Sequence, residues 1–273
     1  MSLSTVLFFF LAHLGVGIAF TLVFVSKDAG VKFFRFNAGL AAILVAFALA
    51  FRIASLEGMP PESSLARIAV FALYVCEAAL VLYWATVGRG LVAIRPAIIG
   101  LAIAGGLTAV FLQGMDIAAA RGGAMQALTV VSFLTSVALL GGACMAMTLG
   151  HWYLVIPSMQ VSHLQSLVKV HIASTAVRMV VVGAAVWFAI STWQIDSGDP
   201  NFRHYIFSVD GIFFWQRILF GLAGPAVLSW LTWETAKIRA TQSATGILYV
   251  DFFTVVVGEV LAKYIVLATH VPV

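Results

Sequence analysis

Charged residues are scarce in this chain of 273 residues: only 10% are Asp, Glu, Lys or Arg, whereas 62% are hydrophobic. A soluble domain carries about 25% charged residues, so the composition excludes a soluble protein and predicts one that is embedded in a lipid bilayer. The formal net charge is only +4. Such a small excess provides no basic surface for a polyanion, and we expect no nucleic-acid partner.

Cysteine is equally rare. The two cysteines, Cys76 and Cys144, lie inside apolar runs and form no CxxC pair. We therefore expect no iron–sulfur cluster and no metal site in this chain, and we expect each thiol to be a small buried side chain. A cleavable signal is also missing, because no basic segment precedes the first apolar run. The first helix is expected to be retained.

Long apolar runs are abundant. A helix needs about 20 apolar residues to cross a bilayer core of about 30 Å. Eight runs of this kind predict an all-α fold, a polytopic membrane helix bundle that forms a single integral membrane domain over residues 1–273. The runs lie near residues 3–26, 37–55, 67–88, 96–115, 126–156, 165–193, 211–236 and 244–270.

The distribution of basic residues between the connectors predicts the orientation. The second, fourth and sixth connectors hold Arg67, Arg121 and Arg203, and Arg52 lies near one end of the second helix. The first, third and seventh connectors are richer, so they are predicted to be cytoplasmic. Both termini would then lie outside, in the periplasm, for a multi-pass protein of the bacterial cytoplasmic (inner) membrane. The basic residues of the three richer connectors are Lys27, Lys32, Arg35, Arg89, Arg95, Lys237 and Arg239.

The last apolar run, residues 249–270, contains Asp251, Glu259 and Lys263. An ionisable side chain at bilayer depth costs about 2.5–3.5 kcal/mol on insertion scales, so it has to face the protein interior and find a partner. Glu259 and Lys263 are four residues apart and share one helix face. We expect this face to be buried and the other helices to pack around it.

Three further polar groups lie midway along other runs: His13 in the first, Glu77 in the third and Arg178 in the sixth. We expect them to converge with Glu259 and Lys263, with Arg178 paired to a carboxylate and Lys263 to Glu259. Two interpretations are open. The group is either a buried ion-pair network that fixes helix register, or a proton path and polar pocket for a lipid-soluble ligand.

A second group surrounds the predicted cytoplasmic connector between the fifth and sixth helices. We expect its members to lie close together, and His151, Trp152 and His171 are its candidates for binding quinone or haem b. His13 is a further candidate haem ligand. The alternative is an ordinary aromatic belt at the membrane interface. The whole group comprises His151, Trp152, Tyr153, His163, Lys169 and His171.

A third group lies in and after the long outer connector. It forms either a solvated loop, or a docking surface for a periplasmic subunit or a proton exit. The GLAGP segment that follows predicts a helix kink at Pro225. The group consists of Asp199, Arg203, His204, Asp210 and Arg217.

The segment GEVLAKYIVLATH, residues 258–270, resembles the last helix of the DmsC/NrfD family of membrane-anchor subunits. The positions that match the family pattern are Gly258, Glu259 and Lys263, and residues 214–230 are similar to the preceding family helix. The resemblance covers about the last 60 residues. It implies a subunit that exchanges electrons between membrane quinone and an iron–sulfur partner, without a redox metal of its own. The short connectors and the segment GHWYLVIPSM depart from the family.

These observations predict a quinone- or quinol-interacting membrane subunit of a respiratory electron-transfer complex rather than a complete enzyme. Its partners would be the lipid bilayer and redox subunits of the iron–sulfur or cytochrome c type. Glu77, Glu259 and His13 are the candidates for handling protons, and Arg178 and Lys263 are candidate counter-charges. Two alternatives are a haem-b membrane cytochrome and a transporter or channel with a buried ion-paired core.

Overall fold

A computed structural model describes residues 2–55, 63–156, 159–192 and 202–273. Within these ranges every regular element is helical, and eight spans are long and apolar enough to cross a membrane. The helices, in chain order, are α1 (Leu3–Leu22), α2 (Gly30–Ser55), α3 (Ser64–Thr86), α4 (Arg95–Ile117), α5 (Gly123–Val155), α6 (Val161–Ser191), the short α7 (Phe202–Ile206), α8 (Ile212–Ile218), α9 (Gly224–Lys237) and α10 (Thr241–Thr269). The seventh span combines α8 and α9.

The eight predicted runs are confirmed as eight spans, and the largest difference is at α2, which begins at Gly30 rather than at residue 37. The polar residues of its first turns have partners that allow a helix to form. The Asn37 side-chain amide donates to the Phe33 backbone oxygen at 2.9 Å, and the Arg35 guanidinium lies 5.2 Å from the centre of the Trp84 ring on α3. A hydropathy criterion does not assign such polar residues to a membrane span, although they can form part of its helix.

The centre of the bundle is formed by α1 and α5, not by α10 as the sequence predicted. In the most apolar stretch of each helix, 78% of the residues of α1 and 72% of those of α5 are buried, against 44% for α10. Only one face of α10 is polar, and its opposite face exposes large apolar side chains such as Val250 and Phe253. That face is suited to contact with lipid.

Close contact between α1 and α5 depends on two glycines. A Cβ atom added to Gly17 would meet backbone atoms of Val137 and Gly141, and one added to Gly141 would meet the backbone of Gly17. Small residues allow transmembrane helices to approach at this distance and to gain packing energy. The approach brings His13 on α1 and Ser136 on α5, about one turn away on each helix, into contact.

The seventh span departs from α-helical geometry between α8 and α9. A π-helical turn occupies Leu219–Ala223, immediately before Pro225. The kink predicted at Pro225 stays a prediction, and the feature that the structure shows in the GLAGP segment is a π turn, which is frequent at functional sites. At this turn Gly221 packs directly against Gly258 of α10.

The two ends of the bundle differ in charge. We call the end that holds the connectors after α1, α3, α5 and α9 the basic end, because it carries Lys27, Arg89, Arg239 and their basic neighbours. The opposite end holds the start of α1 and the end of α10 and is called the terminal end. The assignment of the basic end to the cytoplasm stays a prediction from the positive-inside rule.

Candidate functional site

A buried ion cluster lies between α6, α8 and α10. The Glu259 carboxylate of α10 accepts from Arg178 Nε of α6 at 3.1 Å and from Arg217 Nη2 of α8 at 2.8 Å. Lys263, one turn further along α10, places Nζ 3.6 Å from Glu259 Oε2. All four side chains are at most 1% exposed. Three basic groups around one carboxylate leave a formal excess of two positive charges.

Ser136 of α5 connects this cluster to α1. Its hydroxyl donates to Glu259 Oε2 at 2.5 Å and accepts from Lys263 Nζ at 2.7 Å. The same oxygen lies 3.4 Å from His13 Nδ1, and His13 Nε2 lies 3.2 Å from Gln113 Oε1 on α4. The result is an unbroken chain of short polar contacts from α4 through α1 and α5 to α10. The contacts of Ser136 with Glu259 and Lys263 are within the reach that proton transfer requires, about 2.6–3.2 Å, whereas the contact with His13 is slightly longer.

The two arginines of the cluster differ in how completely their donors are used. Arg178 Nη1 donates to the backbone and side-chain oxygens of Ser132, at 2.8 and 2.5 Å, and Nη2 lies 3.3 Å from the backbone oxygen of Val273. Arg217, by contrast, uses only Nη2, and its Nε and Nη1 have no hydrogen-bond partner in the part of the chain described. Buried donors without partners are uncommon in proteins and raise the question of their function.

Two glycines make room for Arg217. A Cβ atom added to Gly221 or Gly258 would meet the Arg217 guanidinium as well as the opposite glycine. The close approach of the π turn to α10 therefore positions the third basic group against Glu259. The same geometry explains why Gly258 directly precedes Glu259: the glycine faces α8 while the carboxylate points into the cluster.

A second buried pair lies closer to the basic end. His171 Nε2 of α6 is 2.7 Å from Asp251 Oδ2 of α10, and both side chains are fully buried. Among the described residues, His171 Nδ1 and Asp251 Oδ1 have no hydrogen-bond partner. A Cβ atom added to Gly142 of α5 would lie 3.6 Å from His171 Nδ1, so the histidine ring packs against α5.

The ion cluster and the His171–Asp251 pair are both formed between α6 and α10, and their residues have nearly the same spacing along the two helices. His171 and Arg178 are seven residues apart on α6, and Asp251 and Glu259 are eight apart on α10. At about 1.5 Å per residue, the pair and the cluster are separated by roughly 10–12 Å along the bundle. No hydrogen bond among the described side chains bridges that interval.

Of the five residues predicted to converge, four do so. His13, Arg178, Glu259 and Lys263 form one network, as expected, and Lys263 lies next to Glu259. Glu77 is separate: it is half-buried on α3, and its buried Oε2 has no hydrogen-bond partner among the described residues. Glu77 lies midway along α3, as predicted. It lies on a face of α3 that does not point to the network around Glu259, whereas the prediction required it to point there.

The residues proposed to bind quinone or haem at the basic end do not form one group. His151 is exposed and its Nδ1 lies 2.8 Å from the Tyr249 hydroxyl, whereas Trp152 Nε1 donates to the Ala29 backbone oxygen at 3.1 Å. His171 lies level with Gly142. Nine residues separate Gly142 from His151 on α5, so about 13 Å of helix separates the two histidines.

These positions do not fit haem b. Bis-histidine ligation needs two imidazoles that face one iron. His151 and His171 are too far apart along the bundle, and both ring nitrogens of His13 already contact Ser136 and Gln113. A haem ligated by His13 would require this network to be broken.

The other residues of the second group lie toward the basic end of the bundle. His163 Nε2 lies 2.9 Å from Asp28 Oδ2, where the aspartate is largely exposed. The Tyr153 hydroxyl donates to the Gln160 backbone oxygen, and Lys169 Nζ lies 5.1 Å from the centre of the Trp233 ring. Aromatic and basic side chains in these positions are typical of an interfacial belt.

The third group contains the main correction. Arg203 and His204 lie on the short helix α7, and both are exposed near the terminal end, as is Asp210. Arg217 is instead fully buried and contacts Glu259, because it lies inside the seventh predicted run, on α8, and its guanidinium packs against Gly258 of α10. Asp199 lies outside the described residues.

Sequence reasoning missed Ser136, Gln113, the role of Arg217 and the pairing of His171 with Asp251. Serine and glutamine carry no signal in an apolar helix, since both also occur as packing residues. The His171–Asp251 pair had a signal that was not used. Two parallel helices with polar residues seven and eight positions apart present those residues at matching heights.

No group of three or more His, Cys, Asp or Glu side chains in the described ranges is arranged to hold a metal ion. No protein-family model and no curated protein sequence matches this chain.

Proposed function

We propose that this chain is a quinone- or quinol-interacting membrane subunit of a respiratory electron-transfer complex in the bacterial inner membrane. It would pass electrons between membrane quinone and a redox partner subunit that carries iron–sulfur clusters or cytochrome c haem. The observation on which the proposal depends is the buried network around Glu259, which connects the Glu259 carboxylate to the His13 imidazole through the hydroxyl of Ser136.

The chemistry of quinol explains why such a network is useful. Oxidation of a quinol releases two electrons and two protons, so the protein needs groups that accept protons at the ring oxygens and lead them away. Glu259 and His13 would accept these protons, while the electrons pass to the partner. Arg217 offers two unpartnered donors. With Arg178 and Lys263, it would stabilise the negative charge that develops on a deprotonated quinol oxygen.

The resemblance of the last helix to the DmsC/NrfD family supports the same function. The family-like positions Gly258, Glu259 and Lys263 are the ones that build the cluster: the glycine admits Arg217, and the other two side chains form its ion pair. Because all three positions contribute to the same buried cluster, their match is more informative than a general similarity of apolar helices. Within such a complex the iron–sulfur clusters would belong to the partner.

Replacement of the carboxylate tests the proposal. We expect Glu259→Gln to lower quinol-dependent electron transfer in membranes by about a hundredfold, the usual magnitude for a group that transfers protons. Glu259→Asp keeps a carboxylate and should restore part of the activity. The matched control is Glu234→Gln, because Glu234 forms an exposed pair with Lys237 at 2.7 Å. The amount of folded protein is measured by size exclusion, and unchanged turnover of folded Glu259→Gln would refute the role.

Purification of the native complex tests the partner separately. We expect an iron–sulfur or multihaem protein to co-purify with this chain and to be identified by mass spectrometry. A chain that purifies alone and shows no quinol-dependent activity would contradict the redox assignment, whatever the Glu259 variants do.

A second candidate function is a proton-coupled transporter, and the His171–Asp251 pair favours it. Polar pairs at two depths along the same helices are typical of proton relays in pumps and transporters. This function predicts proton uptake by proteoliposomes without any redox partner. Proton movement that depends on Asp251 but not on added quinol would favour transport over electron transfer.

A further inference from the structure

An open groove lies at the basic end of the bundle, far from the ion cluster. It has a volume of about 530 Å³ and is lined by the ends of α1 to α4 and their connectors. Its walls are mostly apolar, and Val25, Phe34 and Ile99 form part of them. Val31 and Val92 also line it and are 51% and 71% exposed. Apolar side chains exposed at the end of a membrane helix are suited to lipid rather than to water.

Two basic side chains, Lys27 and Arg95, are the charged residues that line this groove. Arg95 Nε donates to the Gly90 backbone oxygen at 3.0 Å, which holds the guanidinium in place. Its two terminal nitrogens have no protein partner among the described residues and are free to donate. No acidic residue lines the groove, so the positive charge of Lys27 and Arg95 has no neutralising partner in it.

The combination of an apolar groove with an unneutralised basic mouth matches one class of molecule. An anionic phospholipid has a phosphate for the basic groups and acyl chains for the apolar walls. Basic pockets between membrane helices on the cytoplasmic side bind such headgroups, and the basic end is the one predicted to be cytoplasmic. A quinone has an uncharged ring and would leave both cations without a counter-charge.

We propose that this groove binds an anionic phospholipid, whose phosphate lies against Lys27 and Arg95 and whose acyl chains lie along Phe34 and Ile99. The site is independent of the ion cluster and of the function proposed for it. A lipid held between the first four helices would fix the α1–α2 and α3–α4 connectors relative to each other. The protein would therefore be more stable in an anionic membrane than in a zwitterionic one.

The experiment measures lipid binding to the full chain in detergent. Phosphatidylglycerol or phosphatidylcholine with identical acyl chains is added, bound lipid is counted by native mass spectrometry, and the melting temperature is recorded. We expect phosphatidylglycerol to bind at least about tenfold more tightly and to raise the melting temperature more. The double variant Lys27→Gln/Arg95→Gln should lose this preference.

Two further variants make the result specific. Lys32→Gln/Arg89→Gln removes the same charge from the basic end, but neither residue lines the groove, so the preference should persist. Val31→Trp fills the groove without changing its charge and should weaken binding of both lipids. Equal binding of the two lipids, equal losses in both double variants, or a quinone instead of a phospholipid in the purified protein would overturn the proposal.

Discussion

At the scale of single residues, the main feature is the imbalance of charge around Glu259. Each of the three basic side chains would be costly to bury alone, and one carboxylate has to serve all three. Removal of the acid therefore affects the protein differently from removal of a base. Removal of Glu259 raises the formal charge of the cluster from +2 to +3, whereas removal of one basic side chain lowers it to +1.

We expect Glu259→Gln to destabilise the protein by about 3–5 kcal/mol, because it leaves buried basic groups without a partner. Lys263→Met should change stability by less than about 1 kcal/mol or increase it, since it removes one surplus charge and keeps an apolar side chain. Lys263 Nζ already lies 4.8 Å from the centre of the Phe133 ring, where a thioether packs well. Unfolding in detergent measures both variants, and equal destabilisation would contradict this account of the charge.

The His171–Asp251 pair allows a test of coupling between two residues. A double-mutant cycle with His171→Gln and Asp251→Asn should give a coupling energy of about 1–3 kcal/mol, because both side chains are fully buried and each is the other's partner. His151 and Tyr249 provide the control: their contact is of similar length, 2.8 Å, but exposed, so their coupling should be near zero. Similar coupling in the two cycles would show that burial does not strengthen the first pair.

The sequence alone predicts the depth of a charged residue but not the direction in which it points. Position within an apolar run placed His13, Arg178, Glu259 and Lys263 correctly, and the same reasoning placed Glu77 with them. Whether a side chain joins the network depends on how its helix is rotated against its neighbours. That rotation is set by packing contacts such as Gly17 against Gly141, which a hydropathy pattern does not contain.

At the scale of helices, prediction was most reliable because membrane spans obey a strict length requirement. Errors were confined to helix ends, where polar residues such as Asn37 continue the helix, and to the seventh span. In that span, the helix begins at Ile212, one residue after the predicted start, so Arg217 already lay inside the predicted run. The run did not show that the Arg217 side chain points to Glu259 of α10.

The contact between the π turn and α10 provides a test at this scale. We expect Gly258→Ala to destabilise the protein by about 1–3 kcal/mol, because the added methyl group would overlap Gly221 and displace Arg217. Gly246→Ala on the same helix is the matched control: a Cβ atom there meets nothing within 4 Å. It should leave stability unchanged or raise it by up to about 1 kcal/mol.

Melting temperatures in detergent compare the two glycine variants. Electron transfer by the Gly258 variant should fall together with that of Glu259→Gln if displacement of Arg217 disturbs the carboxylate. If Gly258→Ala is as stable and as active as Gly246→Ala, the close approach of the two helices is not required.

At the scale of the whole molecule, the two buried groups lie at different distances from the two ends. The His171–Asp251 pair is ten residues into α6 and α10 from the basic end, and Glu259 is ten residues from the last residue of α10, Thr269. Protons from a site at Glu259 would therefore reach the terminal side more directly than the basic side. If the proposed function holds, the orientation of the bundle would determine the compartment that receives these protons.

Labelling of introduced cysteines determines that orientation. The native Cys76 and Cys144 are 0% and 2% exposed, so they should give little background. Ala93, in the connector after α3, and Ala120, in the connector after α4, are exposed at opposite ends of the bundle. We expect Ala120→Cys to react in intact cells with a maleimide that cannot cross the inner membrane, and Ala93→Cys to react only after lysis, because the basic connectors are retained in the cytoplasm. The reverse pattern would place the basic end outside, and protons released near Glu259 would then be closer to the cytoplasm.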